Sequence, residues 1–177
     1  PAAEDSGPVR HGIIRRSEDE GLTTVRLLAD NRFVIDKQVT TTSLFGEETT
    51  ETASYEITDL PEPVSAFTVS RQGDVLYAGT EQGTLLRYAL REEESERLDA
   101  VPANSDGQAV TALTMVFGSE SLAVGDAAGR LTTWMPVRPE PGAATKILRR
   151  IHTLAQHPAT VDRIIASRRD KSLLSID

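Results

Sequence analysis

Cysteine is absent from the 177 residues, which excludes a disulfide framework, a thiolate nucleophile and a cysteine-ligated zinc site. The compartment stays open, because an oxidising environment permits disulfides without requiring them. Histidine is scarce, with only His11, His152 and His157. A metal site needs two or three imidazoles converging with carboxylates, and the 152/157 spacing puts that pair on opposite faces of a strand. Lys and Arg number 19 against 27 Asp and Glu, and the net charge of −8 argues against nucleic acid, whose binding needs clustered cations to release counterions. No run reaches the roughly eighteen apolar residues of a membrane span. Pro1-Ala-Ala-Glu-Asp5 lacks the basic and apolar regions of a signal peptide. With no initiator Met, the chain reads as a processed or excised soluble piece of a parent that is free to be secreted or membrane-bound.

Catalytic signatures are missing as well. Phe117-Gly-Ser-Glu-Ser121 lacks the second glycine of a hydrolase elbow and falls in an expected hairpin. Gly125-x-x-x-Gly129 leads into a strand, whereas a phosphate loop or dinucleotide fingerprint opens a helix. Neither an enzyme nor a cofactor is expected.

What the chain does have is a repeat. Val110 to Trp134 contains two alternating apolar runs, a turn closing on Gly129 and a third run ending at Trp134, the pattern of a three-stranded meander. Val64 to Tyr88 matches it at one offset: Val64 with Val110, Ala66 with Ala112, Gly79 with Gly125, Gly83 with Gly129, Leu85 with Leu131, and Tyr88 with Trp134. A period of about forty-six residues belongs to propeller blades. The pairs Gly79/Gly83 and Gly125/Gly129 bracket hairpin turns, where glycine allows positive φ and close strand reversal. Tyr88 and Trp134, large rings at the same place in two copies, are assigned to packing between neighbouring blades.

Taken in order, residues 1–9 read as a tail and His11–Arg16 as a short edge strand. Residues 24–60 read as a degenerate first copy, with strands over 24–29, 32–35, 39–45 and 55–60. The second copy spans 64–99, with the Glu92–Glu96 acidic patch as a solvated outer turn. The third spans 110–154, with Pro136, Pro139, Pro141 and Gly142 in a linker and Lys146–Leu154 as an outer strand or, alternatively, a helix. The fourth, 161–177, stops half-way. The expected fold is therefore all-β, a partial β-propeller of about three four-stranded antiparallel blades plus half of a fourth. Arg168, Arg169 and Lys171 form the one compact basic cluster, on an expected hairpin turn, and are the candidate partner or anion contact.

Two resemblances follow. His157-Pro-Ala-Thr-Val161 is similar to WD-type propeller repeats, in which a histidine four residues before the innermost strand anchors a buried hydrogen-bond network. Leu60 and Asp106 occupy the equivalent positions elsewhere, and Gln82 and Ala128 replace the acidic turn residue, so the strict signature is absent. The stretches Gly125–Arg138, Leu148–Leu154 and Ala166–Leu174 resemble the permease subunit of proteobacterial phosphate-specific ABC transporters, in the enlarged form whose transmembrane helices are interrupted by a propeller-like soluble segment. That resemblance implies a non-catalytic docking or regulatory domain at the periplasmic face of the inner membrane, meeting other transporter subunits or a phosphate-binding protein. It carries over no functional residue, since the channel and coupling helix lie outside this sequence. A freestanding interaction scaffold, or a ligand-binding or enzymatic propeller completed by missing blades, are the alternatives. A half blade leaves Leu173, Leu174 and Ile176 near an open edge and the flank of the first blade bare, so the piece is expected to self-associate through 161–176 or that flank.

Overall fold

The computed structural model describes residues 7–17, 21–42, 45–46, 48–116, 120–167, 169 and 172–177, among which there are fourteen strands and no helix. The first sheet holds β1 (Val9–Arg16), β2 (Leu22–Leu28), β3 (Phe33–Thr42) and β4 (Glu48–Ile57). The second holds β5 (Val64–Val69), β6 (Val75–Thr80), β7 (Thr84–Leu90) and β8 (Ser95–Pro102). The third holds β9 (Val110–Met115), β10 (Leu122–Asp126), β11 (Arg130–Val137) and β12 (Ile147–Gln156), and the fourth only β13 (Arg163–Ala166) and β14 (Leu173–Ile176). Neighbours in each sheet are antiparallel and follow chain order, so each is an up-and-down meander.

The second and third sheets are the same object twice. Gly79 lies between Ala66 and Leu85, and Gly125 between Ala112 and Leu131. The first sheet departs from its sequence expectation. It begins at Val9, so His11–Arg16 belongs to a full first strand, and the runs expected as 32–35 and 39–45 join into β3, where Asp36, Lys37 and Gln38 stay in the ladder opposite Ser54, Ala53 and Thr52. Ser43 and Leu44, at the end of that expected run, lie outside the described residues, as do Phe117, Gly118 and Ser119. In the third sheet, 147–156 is a strand and not a helix, ten residues long with eight of them paired to β11. Pro136 sits inside β11 opposite Leu148, where a linker was expected.

The glycines need a correction. Of the four repeat glycines, Gly83 and Gly129 have left-handed backbone, with φ of 79° and 82°, and Gly79 and Gly125 do not. Gly79 and Gly125 are strand residues whose role is room: an added Cβ would fall 2.3 Å from Val110 Cγ1 and 2.5 Å from Val161 Cγ1. Each of those valines opens the next sheet, so the first strand of one sheet is pressed onto the second strand of the sheet before it. The residue after each opening valine locks the contact: Arg10 donates to the Val64 carbonyl at 3.4 Å, Ser65 to the Val110 carbonyl at 2.6 Å and Thr111 to the Val161 carbonyl at 2.7 Å. Val64, Val110 and Val161 are 0% exposed, while Val9, which no other described sheet covers, is 48% exposed.

Three apolar layers fill the spaces between sheets. The first is centred on Phe33, Ile35, Phe67, Leu86 and Tyr88, with Phe33 and Phe67 edge to face at 5.1 Å. The second contains Leu85, Val110, Leu122, Val124 and Trp134, and the third Ala112, Leu131, Val161 and Ile164. Tyr88 and Trp134 are thus packed between successive sheets.

The outer flank of the first sheet is not the apolar surface expected. Counting from the left-handed turn residues Asn31, Gly83 and Gly129, the fifth residue on is Asp36, Tyr88 or Trp134, and the fifth back is Arg26, Ala78 or Val124. Where the other sheets bury an aromatic against a small apolar residue, the first pairs Arg26 with Asp36 at 3.0 Å, and Ser54 donates to Asp36 at 2.8 Å. Arg32 adds ion pairs to Asp30 and Glu56, both at 2.7 Å. The face is polar like a capping repeat, with Val9 and Ile14 its exposed exceptions.

Candidate functional site

The other end of the molecule is built differently. The fourth sheet has two strands where its predecessors have four, so the outer strand of the pair, β14, presents an unpaired edge among the described residues. Ser167 N–H donates to the Ser172 carbonyl, which fixes the ladder parity and turns the N–H and C=O groups of Leu173 and Ser175 toward that edge. Leu173 is partly covered against the third apolar layer, whereas Leu174 and Ile176 are 57% and 43% exposed. Ile165, paired with Leu174, continues the exposed apolar row, and Arg163 stands beside Ile176.

Among the described residues no strand lies over the outer half of the third sheet, as a comparison with the sheets before it makes plain. Residues four beyond the left-handed turns are Ile35, Arg87 and Thr133, and their fourth-strand partners are Tyr55, Asp99 and His152. In the first sheet the Tyr55 hydroxyl donates to the Arg91 carbonyl, and neighbouring Lys37 to the Leu90 carbonyl. In the second sheet Arg87 donates to the Lys146 carbonyl at 2.6 Å, and Asp99 accepts from Leu148 N–H at 3.1 Å. Both sets of bonds reach the next sheet. In the third sheet Thr133 Oγ1 is buried without a hydrogen-bond partner, and His152 is exposed and has none among the described residues. Met135 and Arg149, directly opposite each other, are exposed on the same face.

Burial sets the electrostatics of the cross-links. Arg87 and Asp99 form a 2.7 Å ion pair with side chains 6% and 8% exposed. Burial pushes the Asp99 carboxyl above its ordinary value, and Arg87 and the Leu148 N–H pull it part of the way back. Burial also raises the Tyr77 hydroxyl to about 12 and lowers the Lys37 ammonium.

The residues singled out from sequence fall in separate places. Arg169 lies exposed on the β13–β14 hairpin, its backbone N–H donating to Ser167 Oγ at 3.2 Å, while Arg168 and Lys171 lie outside the described residues. His157 is half-buried at the start of the fourth sheet, with Nε2 2.8 Å from Ser175 Oγ and Nδ1 3.6 Å from Asp177 Oδ1. Corresponding loops elsewhere hold their turns with other chemistry. Glu62 accepts from Thr80 and Thr84, while Asn104 donates to Asp126, which caps the turn by accepting from Ala128 and Arg130 N–H. Arg130 bridges Asp126 to Asp106, and its hydrogen bond holds the Asp106 carboxyl below the usual range. No group of three or more His, Asp or Glu among the described residues is placed to hold a metal, and no described helix is long and apolar enough to cross a membrane.

Sequence reasoning missed Thr133, Met135 and Arg149 and weighed His152 only as a metal ligand. Their only sequence signal is position, counted from the left-handed turn of Gly129 and compared with Ile35/Tyr55 and Arg87/Asp99. No family model matches the chain, and no curated protein matches it.

Proposed function

We propose that the chain is a run of β-propeller blades whose work is to dock a partner. The observation that carries this reading is the exposed apolar row of Ile165, Leu174 and Ile176 on one face of the fourth sheet, in contrast to the ion-paired flank of the first. The repeated valine-on-strand contact supports the propeller, because it brings β1, β5, β9 and β13 against one another at the inner edge of the stack. The side chains cross-linking the sheets are engaged in holding structure, and the contact of His157 with Ser175 and Asp177 joins the start of the fourth sheet to its outer strand.

The resemblance to enlarged phosphate-transporter permeases supplies the setting of the proposal: a non-catalytic module at the periplasmic face, where a phosphate-binding protein or another transporter subunit meets it. Two measurements test this. A parent sequence with apolar spans of about twenty residues on both sides supports the transporter setting, and a parent without them makes the chain a freestanding scaffold. Calorimetry with inorganic phosphate is expected to show no micromolar binding; a micromolar site would replace docking with ligand binding.

A further inference from the structure

We propose that the outer edge of β4, with the ribbon that β3 and β4 extend beyond the rest of their sheet, takes up an extended basic segment of a partner protein as a fifth strand. This surface is separate from the apolar row of the fourth sheet and goes beyond the docking reading built on that row.

Register carries the first step. The outer strands of the second and third sheets are each interrupted: Leu98 drops out of the β7–β8 ladder, and Ile151 and Leu154 drop out of the β11–β12 ladder. Such bulges blunt an edge against pairing. β4 has none, its ten residues standing opposite β3 without a shift. Leu28 N–H donates to the Arg32 carbonyl, which fixes the parity of the first sheet and turns the N–H and C=O groups of Glu48, Thr50, Thr52, Ser54 and Glu56 outward. No other described strand pairs with that edge.

Length carries the second step. β2 stops at Leu22, opposite Gln38, and β7 stops at Leu90, which stands seven residues beyond its left-handed turn as Gln38 does. β3 and β4 run on for four more pairs, from Val39 with Glu51 to Thr42 with Glu48. Six of those eight residues are β-branched and seven of the eight are exposed. A two-stranded ribbon is marginal in water by itself, and an added strand makes it a sheet in the manner of β-augmentation.

Charge fixes the occupant. From Gln38 to Ser70 there are six Asp and Glu and no Lys or Arg. Glu48 and Glu51, on opposite faces of β4, are exposed and form no ion pair among the described residues. The cations around the base of the ribbon are engaged: Lys37 donates to the Leu90 carbonyl, Arg32 pairs with Asp30 and Glu56, Arg26 with Asp36, and Arg91 with Glu96. Arg15 and Arg16 lie on β1, at the opposite edge of the sheet. A basic strand is therefore steered to this edge and an acidic one is repelled. A second copy is disfavoured as well. Two β4 edges set acids against acids with no cation on either strand, and β12, whose Arg149 and Arg150 have the right sign, is kept from straight pairing by its bulges at Ile151 and Leu154.

The test uses the full chain and a short peptide alternating Thr and Lys, labelled for fluorescence anisotropy, with a Thr–Glu peptide of equal length as its counterpart. Salt-sensitive binding of the basic peptide alone is expected, weakened at least about tenfold by Glu48→Lys with Glu51→Lys. The same change of charge away from the ribbon, Glu81→Lys with Glu140→Lys, should leave it unchanged. Methylating the backbone nitrogens of the peptide keeps its charge and removes its donors, so the methylated peptide is expected not to bind. Thr52→Pro removes an outward N–H that an edge strand can lose without breaking its inner ladder, and is expected to weaken binding. The proposal is overturned by equal binding of both peptides, by full binding of the methylated peptide, or by indifference to the Glu48 and Glu51 changes. Loss of binding in Leu174→Asp would put the peptide on the fourth sheet and overturn it too. Light scattering that shows self-association abolished by the Glu48 and Glu51 changes would make the occupant a second copy, with the same result.

Discussion

Gly125 and Gly129 lie four residues apart and are glycine for different reasons. Gly129 has φ of +82°, and a Cβ there would lie 2.3 Å from the His157 carbonyl oxygen. Gly125 is ordinary strand, emptied so that Val161 can seat. Sequence showed both glycines as one motif at a fixed spacing, and from that spacing alone a glycine needed for φ looks like a glycine needed for space. The same blindness hid the first sheet, where Leu27 takes the strand position and Asn31, at φ 64°, takes the turn. Asn31 fills its loop with its own side chain, accepting from Val64 N–H at 2.8 Å. Gly125→Ala is expected to destabilise the protein by about 1–3 kcal/mol through overpacking. Combining it with Val161→Ala should recover part of that loss in urea unfolding; strict additivity of the two changes would mean that the valine is not what the glycine accommodates.

At the scale of elements, the strands and their order were legible because alternation and turn residues are local signals. The links between sheets were not. Arg87 and Asp99 looked like unremarkable charges on outer strands, and only the arrival of β12 buries them together. Such a pair is expensive to break from one side. Arg87→Met should cost about 3–5 kcal/mol, since it leaves Asp99 buried and unpaired, whereas Arg87→Met with Asp99→Leu should cost clearly less. Denaturant unfolding of both variants decides this: a double variant as unstable as the sum of its singles would show that the two side chains act separately. The uncovered half of the third sheet was illegible for the same reason, because Thr133 and His152 acquire meaning only by comparison with what Ile35, Tyr55, Arg87 and Asp99 do to the next sheet.

The whole molecule is graded from one end to the other. Its three apolar layers contain thirteen, eight and six buried residues in order along the chain, and the last rests on a two-stranded sheet, which is marginal by itself. Native-state hydrogen exchange should accordingly find the weakest protection in β13 and β14 and the strongest in β5 to β7, which are covered on both faces. Uniform protection across all four sheets would contradict the grading.

The valine contacts have a mechanical consequence. A load applied between Val9 and Ile176 crosses the sheets instead of running along them, so it falls on three joints connected in series. Elements in series share the force equally and differ only in what they withstand. The joint at Val161, with the fewest buried side chains behind it, is therefore the fuse, and the sheet it releases is the one whose edge is already open.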